Sequence, residues 1–410
     1  MTYDIVIIGG GAAGIATASS ILKRNAKVTI AVVDPATEHY YQPGWTMVGA
    51  GVFTPEQTRK AEADVMPKGV EWIRLPALTI DPDRNTVELA DGGMLTYRIL
   101  IVAPGLRLAW EKIDGLPNAL GRNGVTSNYR YDLASYTYRL VKELRQGRAL
   151  FSQPPMPIKC AGAPQKAMYL SCDIWRDSGV LPAIDVEFHN AGAVLFGVAT
   201  YVPVLMEYIE QYGIDLRLES NLVAVDGDRR VATFERKQDG VAERIERAFD
   251  ILHVVPPQVS HTVVAKSPLA VANGFVDVDE ATLRHKRYDN VFSLGDAAGT
   301  SNAKTAAAAR MQAPVVAVNA LAALDGKPPA ADYNGYGSCP LTVERGKIVL
   351  AEFGYGGKLL PSFPSWLLDG TRPTRAAWFL KERMLPPIYW QGMLKGREWM
   401  AAPHEIGKTA

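Results

Sequence analysis

Three cysteines are the residues of this sequence whose types and positions best suit redox chemistry. Cys160 directly precedes a predicted helix, where the positive end of the helix dipole and neighbouring Lys159 favour the thiolate. Cys339 lies in a predicted Gly/Pro loop, and Cys172 falls about three turns along the helix after Cys160, which is typical of a buried thiol. From the residues alone, Cys160 and Cys339 are equally well a redox pair or two unrelated structural thiols.

A dinucleotide-binding motif opens the chain. Gly9-x-Gly11-x-x-Gly14 stands between a β-branched run and a predicted helix, and Asp34 ends the next predicted strand. Such glycines permit a tight turn and close approach of a pyrophosphate, while the acid binds a ribose hydroxyl. An ordinary glycine turn fits this context poorly. The cofactor contacts predicted from this motif are Gly9, Gly11, Ala12, Ala13, Gly14 and Asp34.

A second motif, Phe292–Asp296, adds a carboxylate where a predicted strand ends before an Ala-rich helix. This motif resembles two-dinucleotide flavoproteins, in which the equivalent Asp holds the FAD ribityl chain and the helix dipole faces the flavin. Tyr97–Gly105 resembles another segment of the same proteins. The alternative is a core strand with a capping Asp. The resemblance predicts FAD as cofactor and further contacts from Pro43, Ala103, Pro104, Gly105, Gly295, Asp296 and Lys304.

The second nucleotide motif expected of an NAD(P)H-reduced flavoprotein is degenerate. At its place stands Ile158–Lys166, which keeps a single glycine and carries a proline in the turn. Cys160 occupies the end of the preceding predicted strand. A pyridine nucleotide is therefore disfavoured as the reductant, and the cysteine has taken over its position.

Composition excludes several other classes of protein. The chain has 410 residues, 48% hydrophobic, with 44 Lys+Arg against 43 Asp+Glu, so it is neither disordered nor a basic nucleic-acid binder. The six His have no metal-ligand spacing, and no metal is predicted. The most apolar stretches are shorter than the ~18 residues that span a bilayer, and no signal peptide is visible.

The motifs require a positioning framework of alternating strands and helices. We predict an α/β fold with two Rossmann-like dinucleotide-binding domains of glutathione-reductase type and a C-terminal membrane-associating module. The predicted boundaries place the FAD domain at 1–112 and 270–340, the second, degenerate NAD-type domain at 113–269, and the C-terminal module at 341–410.

The C-terminal module is aromatic and basic. Four of the eight Trp lie between Trp366 and Trp399, and residues 361–410 hold seven Lys/Arg against four acids. Two predicted helices, Thr374–Met384 and Ile388–Met400, fit an interfacial pair among lipid headgroups. The alternative is that these aromatics pack against the second domain or against a second copy of the chain in a homo-oligomer.

Two cysteine segments carry a resemblance to a known family. Pro157–Leu170 and Gly335–Leu341 resemble the cysteine motifs of sulfide:quinone oxidoreductases of the mitochondrial-type branch. The resemblance spans nearly the whole chain and includes segments near Tyr40, Ser301, Ile348 and Leu385. Cys172 has no counterpart in that pattern, so its role stays open.

The resemblance implies a flavoenzyme that oxidises sulfide and reduces a membrane quinone. It implies a redox-active Cys160–Cys339 disulfide and a cysteine persulfide passed to glutathione, sulfite or sulfide. Phe353, Tyr389 and Trp390 are candidates for the quinone slot, and Lys304 is a candidate either for that slot or for stabilising charge on the reduced flavin. The predicted location is peripheral, on the cytoplasmic face of the inner membrane.

Two other functions remain open at this point. One is an NADH:quinone oxidoreductase of similar architecture, which the degenerate second glycine motif disfavours. The other is a non-enzymatic, flavin-bound redox-sensing protein that keeps its cysteines for signalling.

Overall fold

The computed structural model describes residues 1–238 and 241–407 and contains one mixed and one parallel sheet, each with helices packed on it. The first sheet forms because β-branched runs at the N-terminus and before Ala103 are buried on both faces. Its six successive strands are Val70–Ile73, Ile30–Val33, Thr2–Ile8, Met94–Val102, Thr86–Leu89 and Ala77–Asp81, and Val291–Ser293 pairs with the carboxyl half of Met94–Val102.

Two helices cover one face of the first sheet. The N-terminal helix, Ala12–Arg24, packs against the long apolar helix, Ala306–Leu324, in one hydrophobic core. The long apolar helix is 19 residues long and apolar enough to cross a membrane by length and composition. From the sequence, only apolar stretches shorter than the ~18 residues that span a bilayer were expected. More than half of its most apolar 18-residue stretch is buried, and these buried residues pack in the core of the first sheet.

The second sheet is wholly parallel, as in a Rossmann-like fold. Its strands in spatial order are Val125–Thr126, Ile251–His253, Gly147–Gln153, Ile184–Asn190 and Asp215–Arg217. Three helices pack on it: Tyr131–Glu143, Ala163–Asp177 and Val202–Gln211. The strands of the first sheet come from the segments predicted for the FAD domain and those of the second from 113–269. The division into domains itself stays a prediction.

Smaller elements connect these layers. An antiparallel meander lies in the chain between Asp215–Arg217 and Ile251–His253, two strands of the second sheet, and short strand pairs and single-turn helices fill the other connections. The strands of the meander are Ser220–Asp226, Val231–Gln238 and Val241–Ala248. The strand pairs are Glu38–Tyr40 with Arg59–Ala61, Leu106–Leu108 with Gln258–Ser260, and Ala331–Asp332 with His404–Glu405. The short α-helices are Trp45–Gly49, Glu62–Val65, Leu116–Ala119 and Thr262–Ala265.

The C-terminal region starts with a hairpin of Gly337–Glu344 and Lys347–Phe353, so the predicted boundary at 341 falls inside a strand. One helical segment follows from Arg375 to Lys395, in place of the two helices predicted, and includes π-helical turns at Leu380–Met384 and Ile388–Gly392. It ends before Gly396, whose φ of +64° lets the backbone turn against Ser19. Hereafter 375–395 is called the C-terminal helical segment.

Three local predictions are wrong. The short apolar runs 157–159 and 193–196 predict strands by their composition, but both lie in loops, because neither run has a pairing partner. The strand Gly147–Gln153 was not predicted. Cys339 lies inside a strand where a Gly/Pro loop was expected, since Pro340 is tolerated in a two-stranded hairpin.

Candidate active site

The turn after the first strand is built by two glycines that no other residue could replace. Gly9 has a φ of +104°, and a Cβ there would stand 2.3 Å from the carbonyl oxygen of Ala103. A Cβ at Gly14 would stand 1.9 Å from the carbonyl oxygen of Gly9. Gly11, by contrast, faces open space, because a Cβ there would meet no atom within 4 Å. The helix N-terminus therefore presents free backbone to a ligand.

Two carboxyl groups lie beyond the carboxyl ends of two parallel strands of the first sheet, one on each side of the strand Thr2–Ile8. Asp34 Oδ2 accepts a hydrogen bond from the backbone N–H of Gly10 at 2.5 Å. Burial raises the pKa of Asp296, opposed by the nearby charges of Lys304 and Lys159. Lys304 Nζ donates to the carbonyl oxygens of Asp296 and Ala298 at 2.9 and 2.7 Å, and burial lowers its pKa to about 8.

A cavity of about 1010 Å³ joins these groups to Cys160. Gly9 and Gly14, also predicted as cofactor contacts, are absent from its lining among the described residues and instead shape the turn that carries Gly11. The predicted cofactor contacts that line it are Gly11, Ala12, Ala13, Asp34, Pro43, Ala103, Pro104, Gly105, Gly295, Asp296 and Lys304. Eleven residues predicted from scattered motifs thus meet at one cavity.

The two cysteines that the sequence singled out meet beside this cavity. Cys160 Sγ lies 3.9 Å from Cys339 Sγ, and both thiols are free. Cys160 precedes the helix Ala163–Asp177, and Cys339 extends from the first strand of the C-terminal hairpin. Two segments 179 residues apart in sequence therefore place two sulfur atoms within reach of a disulfide after a small movement.

Two buried lysines, Lys166 and Lys381, bring positive charge to the cysteine pair, and the sequence indicated neither of them. Lys166 Nζ donates to Cys160 Sγ at 3.1 Å, whereas Lys159 Nζ donates to Gln42 Oε1. The hydrogen bond with Cys339, with the positive charges of Lys166 and Lys381, holds the pKa of Cys160 well below its ordinary value. The same hydrogen bond and burial raise the pKa of Cys339. Cys160 is thus the thiolate of the pair and Cys339 the thiol.

The backbone at Cys160 is held in a strained conformation. Its φ is +50°, in the left-handed region that a Cβ-bearing residue seldom adopts. Its N–H donates to the carbonyl oxygen of Lys304 at 2.7 Å, and Tyr129 Oη donates to its carbonyl oxygen at 3.2 Å. These bonds fix the loop 157–162, hereafter called the cysteine loop, against the loop that carries Lys304.

Cys172 is separate from the pair. It is fully buried in the core of the second sheet, and burial raises its pKa. A buried thiol held protonated in apolar surroundings is inert, in agreement with the buried thiol that its position in the sequence predicts.

The quinone candidates divide between cavity and core. Tyr389 lines the cavity, whereas Phe353 and Trp390 are absent from its lining among the described residues. Phe353 packs edge-on against Phe196, with ring centroids 6.0 Å apart, in the core of the second sheet. Tyr389 Oη lies 2.6 Å from His39 Nε2, whose Nδ1 lies 3.1 Å from Glu62 Oε2. Tyr389 and Trp390 are both buried in the fold, so neither can face lipid.

One end of the cavity is apolar. It is enclosed by the loop 359–363 and by one face of the C-terminal helical segment. The apolar residues lining this end are Leu359, Leu360, Pro361, Phe363, Leu380, Met384, Leu385, Ile388, Met393 and Met400.

Fold and site together define a dinucleotide-binding flavin oxidoreductase with a cysteine pair beside its cofactor cavity. Residues 3–153 match the family described as pyridine nucleotide-disulphide oxidoreductase. The chain is 42% identical over 396 residues to the mitochondrial sulfide:quinone oxidoreductase of Dictyostelium discoideum, covering 96% of this chain and 86% of that protein. It is 36% identical to the mouse protein of the same name, covering 96% and 87%. The chain belongs to the sulfide:quinone oxidoreductase family.

A solved structure of that name has the same fold. The sulfide:quinone oxidoreductase of the bacterium Aquifex aeolicus superposes with a TM-score of 0.78 at 19% identity, covering 96% of this chain and 91% of that one. The protein is an FAD-dependent enzyme, and its cavity fits FAD. The glycine turn leaves open space at Gly11 where a pyrophosphate would fit, Asp34 lies beside that turn, and Asp296 and Lys304 line the same cavity as Cys160.

Proposed function

We propose that this enzyme oxidises sulfide at Cys160 and Cys339 and reduces a quinone. The observation that carries the proposal is the 3.9 Å separation of the two sulfur atoms beside the FAD cavity, with Lys166 bonded to one of them. FAD, when bound, supplies a two-electron carrier between the sulfur atoms and the quinone. The roles assigned to the site residues below are part of the proposal.

The sulfur chemistry starts from a Cys160–Cys339 disulfide. Hydrosulfide attacks Cys339, the S–S bond breaks, and Cys339 becomes a persulfide while Cys160 leaves as the thiolate. Cys160 is the better leaving group because its thiolate is stabilised by Lys166 and Lys381. A nucleophilic acceptor, namely glutathione, sulfite or a second sulfide, then removes the outer sulfur. When the disulfide re-forms, two electrons leave the cysteine pair and reach the quinone by way of the bound FAD.

The quinone is proposed to enter at the apolar end of the cavity. This end, bounded by loop 359–363 and the C-terminal helical segment, matches an apolar ring with an isoprenoid tail. Of the three aromatic residues predicted for the quinone slot, Tyr389 remains a candidate contact. Phe353 and Trp390 have no part in this proposal, because they pack in the core.

The same region supports attachment to a membrane. Several large apolar side chains of the C-terminal region are exposed, and Met384 and Met400 among them also line the cavity: Trp366, Leu367, Phe379, Met384, Trp399 and Met400. Aromatic side chains with Lys/Arg nearby favour the headgroup region of a bilayer. We propose peripheral attachment to the inner membrane through this surface. The cytoplasmic face and a homo-oligomer stay predictions.

The three cysteines provide a matched test. The FAD-loaded enzyme is assayed for sulfide-dependent reduction of a short-chain ubiquinone analogue, with each cysteine changed to serine in turn. Cys160→Ser and Cys339→Ser are expected to lose at least a hundredfold in rate, while Cys172→Ser keeps it. Equal activity in all four proteins would refute the disulfide chemistry. Rapid quinone reduction with NADH and none with sulfide would instead favour an NADH:quinone oxidoreductase.

A further inference from the structure

A buried glutamate at the cavity wall takes no part in the sulfur chemistry. Glu352 is 4% exposed. Its Oε1 accepts hydrogen bonds from Tyr336 Oη and Ser362 Oγ, each at 2.5 Å, and its Oε2 accepts from the Ser362 N–H at 3.1 Å. All three residues line the cavity. We call them the Glu352 cluster.

The hairpin register separates this cluster from the cysteines. Ser338 pairs with Glu352, and Cys339 pairs with Ala351. Successive side chains of a strand point to opposite faces, so Glu352 and Cys339 extend from opposite faces of one hairpin. Among the described residues, the cavity lining includes Ser338, Pro340, Leu350 and Glu352 and omits Cys339. The Glu352 cluster thus belongs to the apolar end of the cavity.

The groups that face Glu352 form a hydrogen-bonded chain. Tyr336 and Ser362 face its carboxylate, and the Glu352 N–H donates to Tyr201 Oη at 3.1 Å. Arg310, from the long apolar helix, also lines the cavity and acts electrostatically on Tyr336. Within the described part of the chain, no Lys, Arg or His forms an ion pair with Glu352. Burial and the neighbouring carboxylate raise the pKa of Tyr336, so this hydroxyl holds a proton.

Resting on the proposed function, we propose that Tyr336 donates protons to the quinone oxygens and that Glu352 is the positioning residue that reprotonates it. As two electrons reduce the quinone, the Tyr336 O–H bond breaks and an O–H bond of the quinol forms. The remaining phenolate is a stronger base than a carboxylate, so a proton entering at Glu352 from water, past Ser362, passes to Tyr336. Two turns of this relay deliver both protons.

The test separates the two halves of the reaction. The FAD-loaded enzyme is reduced chemically with dithionite and then mixed anaerobically with a short-chain ubiquinone analogue. Glu352→Gln is expected to slow reoxidation at least tenfold and to raise the solvent deuterium isotope effect. Its rate should also fall steeply with rising pH, because protons then come from bulk water. Tyr336→Phe should behave alike, and Glu352→Asp should recover part of the rate.

A matched control comes from the same hairpin. Glu344 is also buried, but it pairs with Arg176 and Lys347 away from the cavity, so Glu344→Gln should leave reoxidation unchanged. Calorimetric binding of the quinone analogue should give the same Kd for Glu352→Gln as for the unmodified enzyme.

Two outcomes would overturn the relay. One is an unchanged reoxidation rate and isotope effect in Glu352→Gln and Tyr336→Phe. The other is weaker quinone binding with an unchanged rate at saturation, which would make Glu352 only an anchor for loop 359–363. Because dithionite replaces sulfide, a failure of sulfide oxidation does not affect this test. Failure of the unmodified enzyme to react with quinone would contradict the proposed function itself.

Discussion

Gly162 lies directly against Cys339: a Cβ at position 162 would stand 2.5 Å from the Cys339 sulfur and 2.4 Å from Leu341 Cδ2. The single glycine kept from the degenerate nucleotide motif therefore makes room for the second sulfur. A loop that binds a pyrophosphate in other dinucleotide domains here brings two cysteines together.

The first prediction is that Gly162→Ala separates the sulfur atoms. The added methyl group must displace Cys339 or Leu341, at a cost of about 1–3 kcal/mol for overpacking. We expect sulfide-dependent quinone reduction to fall at least tenfold, and disulfide formation in the oxidised enzyme, measured by thiol titration, to slow. Gly197→Ala is the control, because a Cβ there meets no atom within 4 Å. Equal losses in both variants would contradict the explanation.

A second prediction concerns the charge on Cys160. Lys166→Met removes the ammonium group that donates to its sulfur at 3.1 Å, so the thiolate becomes less stable. Iodoacetamide should alkylate Cys160 of the reduced variant roughly tenfold more slowly at pH 6, because less thiolate is present. Lys159→Met is the matched comparison, since Lys159 Nζ donates to Gln42 and acts on Cys160 only through its charge, so it should slow alkylation less than Lys166→Met does. Slowing by Lys159→Met alone would assign the effect to the wrong lysine.

A third prediction follows from Lys381, whose pKa burial and the charge of Lys166 lower to about 7. Below pH 7 the Lys381 ammonium group is charged and stabilises the Cys160 thiolate; above pH 7 that stabilisation is lost. Thiolate absorbance at 240 nm, followed against pH in the reduced enzyme, should therefore show an inflection near pH 7. Lys381→Met should abolish it, and an unchanged titration curve would contradict this role.

The fourth prediction tests membrane attachment. Trp366, Phe379 and Trp399, all in the C-terminal region, are 84%, 58% and 52% exposed. Changing all three to alanine removes the apolar surface available for insertion, so co-sedimentation with phosphatidylcholine–cardiolipin vesicles should fall at least tenfold. Leu78→Ala, at an exposed apolar position in the first sheet, should leave binding unchanged. Equal binding by the triple variant would place the contact elsewhere.

How much of this site the sequence could predict depends on the range of the interactions. The glycine turn, Asp34 and Asp296 were predictable because each lies within a strand–turn–helix unit whose local spacing fixes its position. Lys166 and Lys381 were not, because their link to Cys160 exists only after the cysteine loop and the C-terminal helical segment have packed. A buried lysine has no periodic signal in the sequence.

The aromatic C-terminus illustrates the same limit. Its composition predicted exposed Trp and Tyr, and Trp366 and Trp399 are indeed exposed. Tyr389 and Trp390 are buried against His39 and Tyr41, since the C-terminal helical segment packs on the core of the first sheet. Composition indicates that a segment is amphipathic, whereas tertiary contacts decide which of its aromatics meet solvent.

The last prediction concerns the contact that holds this segment. Glu62 and His39 are buried beneath Tyr389, and burial raises the pKa of Glu62 despite its hydrogen bond with His39. The folded state therefore binds this proton more tightly than the unfolded state, so stability falls as pH rises from the ordinary carboxyl range through the raised pKa. Glu62→Gln has no such proton to lose.

Relative to the unmodified enzyme, Glu62→Gln should therefore gain stability as pH rises across that range, while differing little at acidic pH where both side chains are neutral. Urea denaturation of the FAD-loaded proteins at pH 4 and pH 7 measures this difference. Glu38→Gln serves as the control for removal of a carboxylate, because Glu38 is partly exposed on a neighbouring strand and pairs with Arg59. A pH-independent difference for Glu62→Gln would mean that the Glu62 carboxyl titrates alike in the folded and unfolded protein.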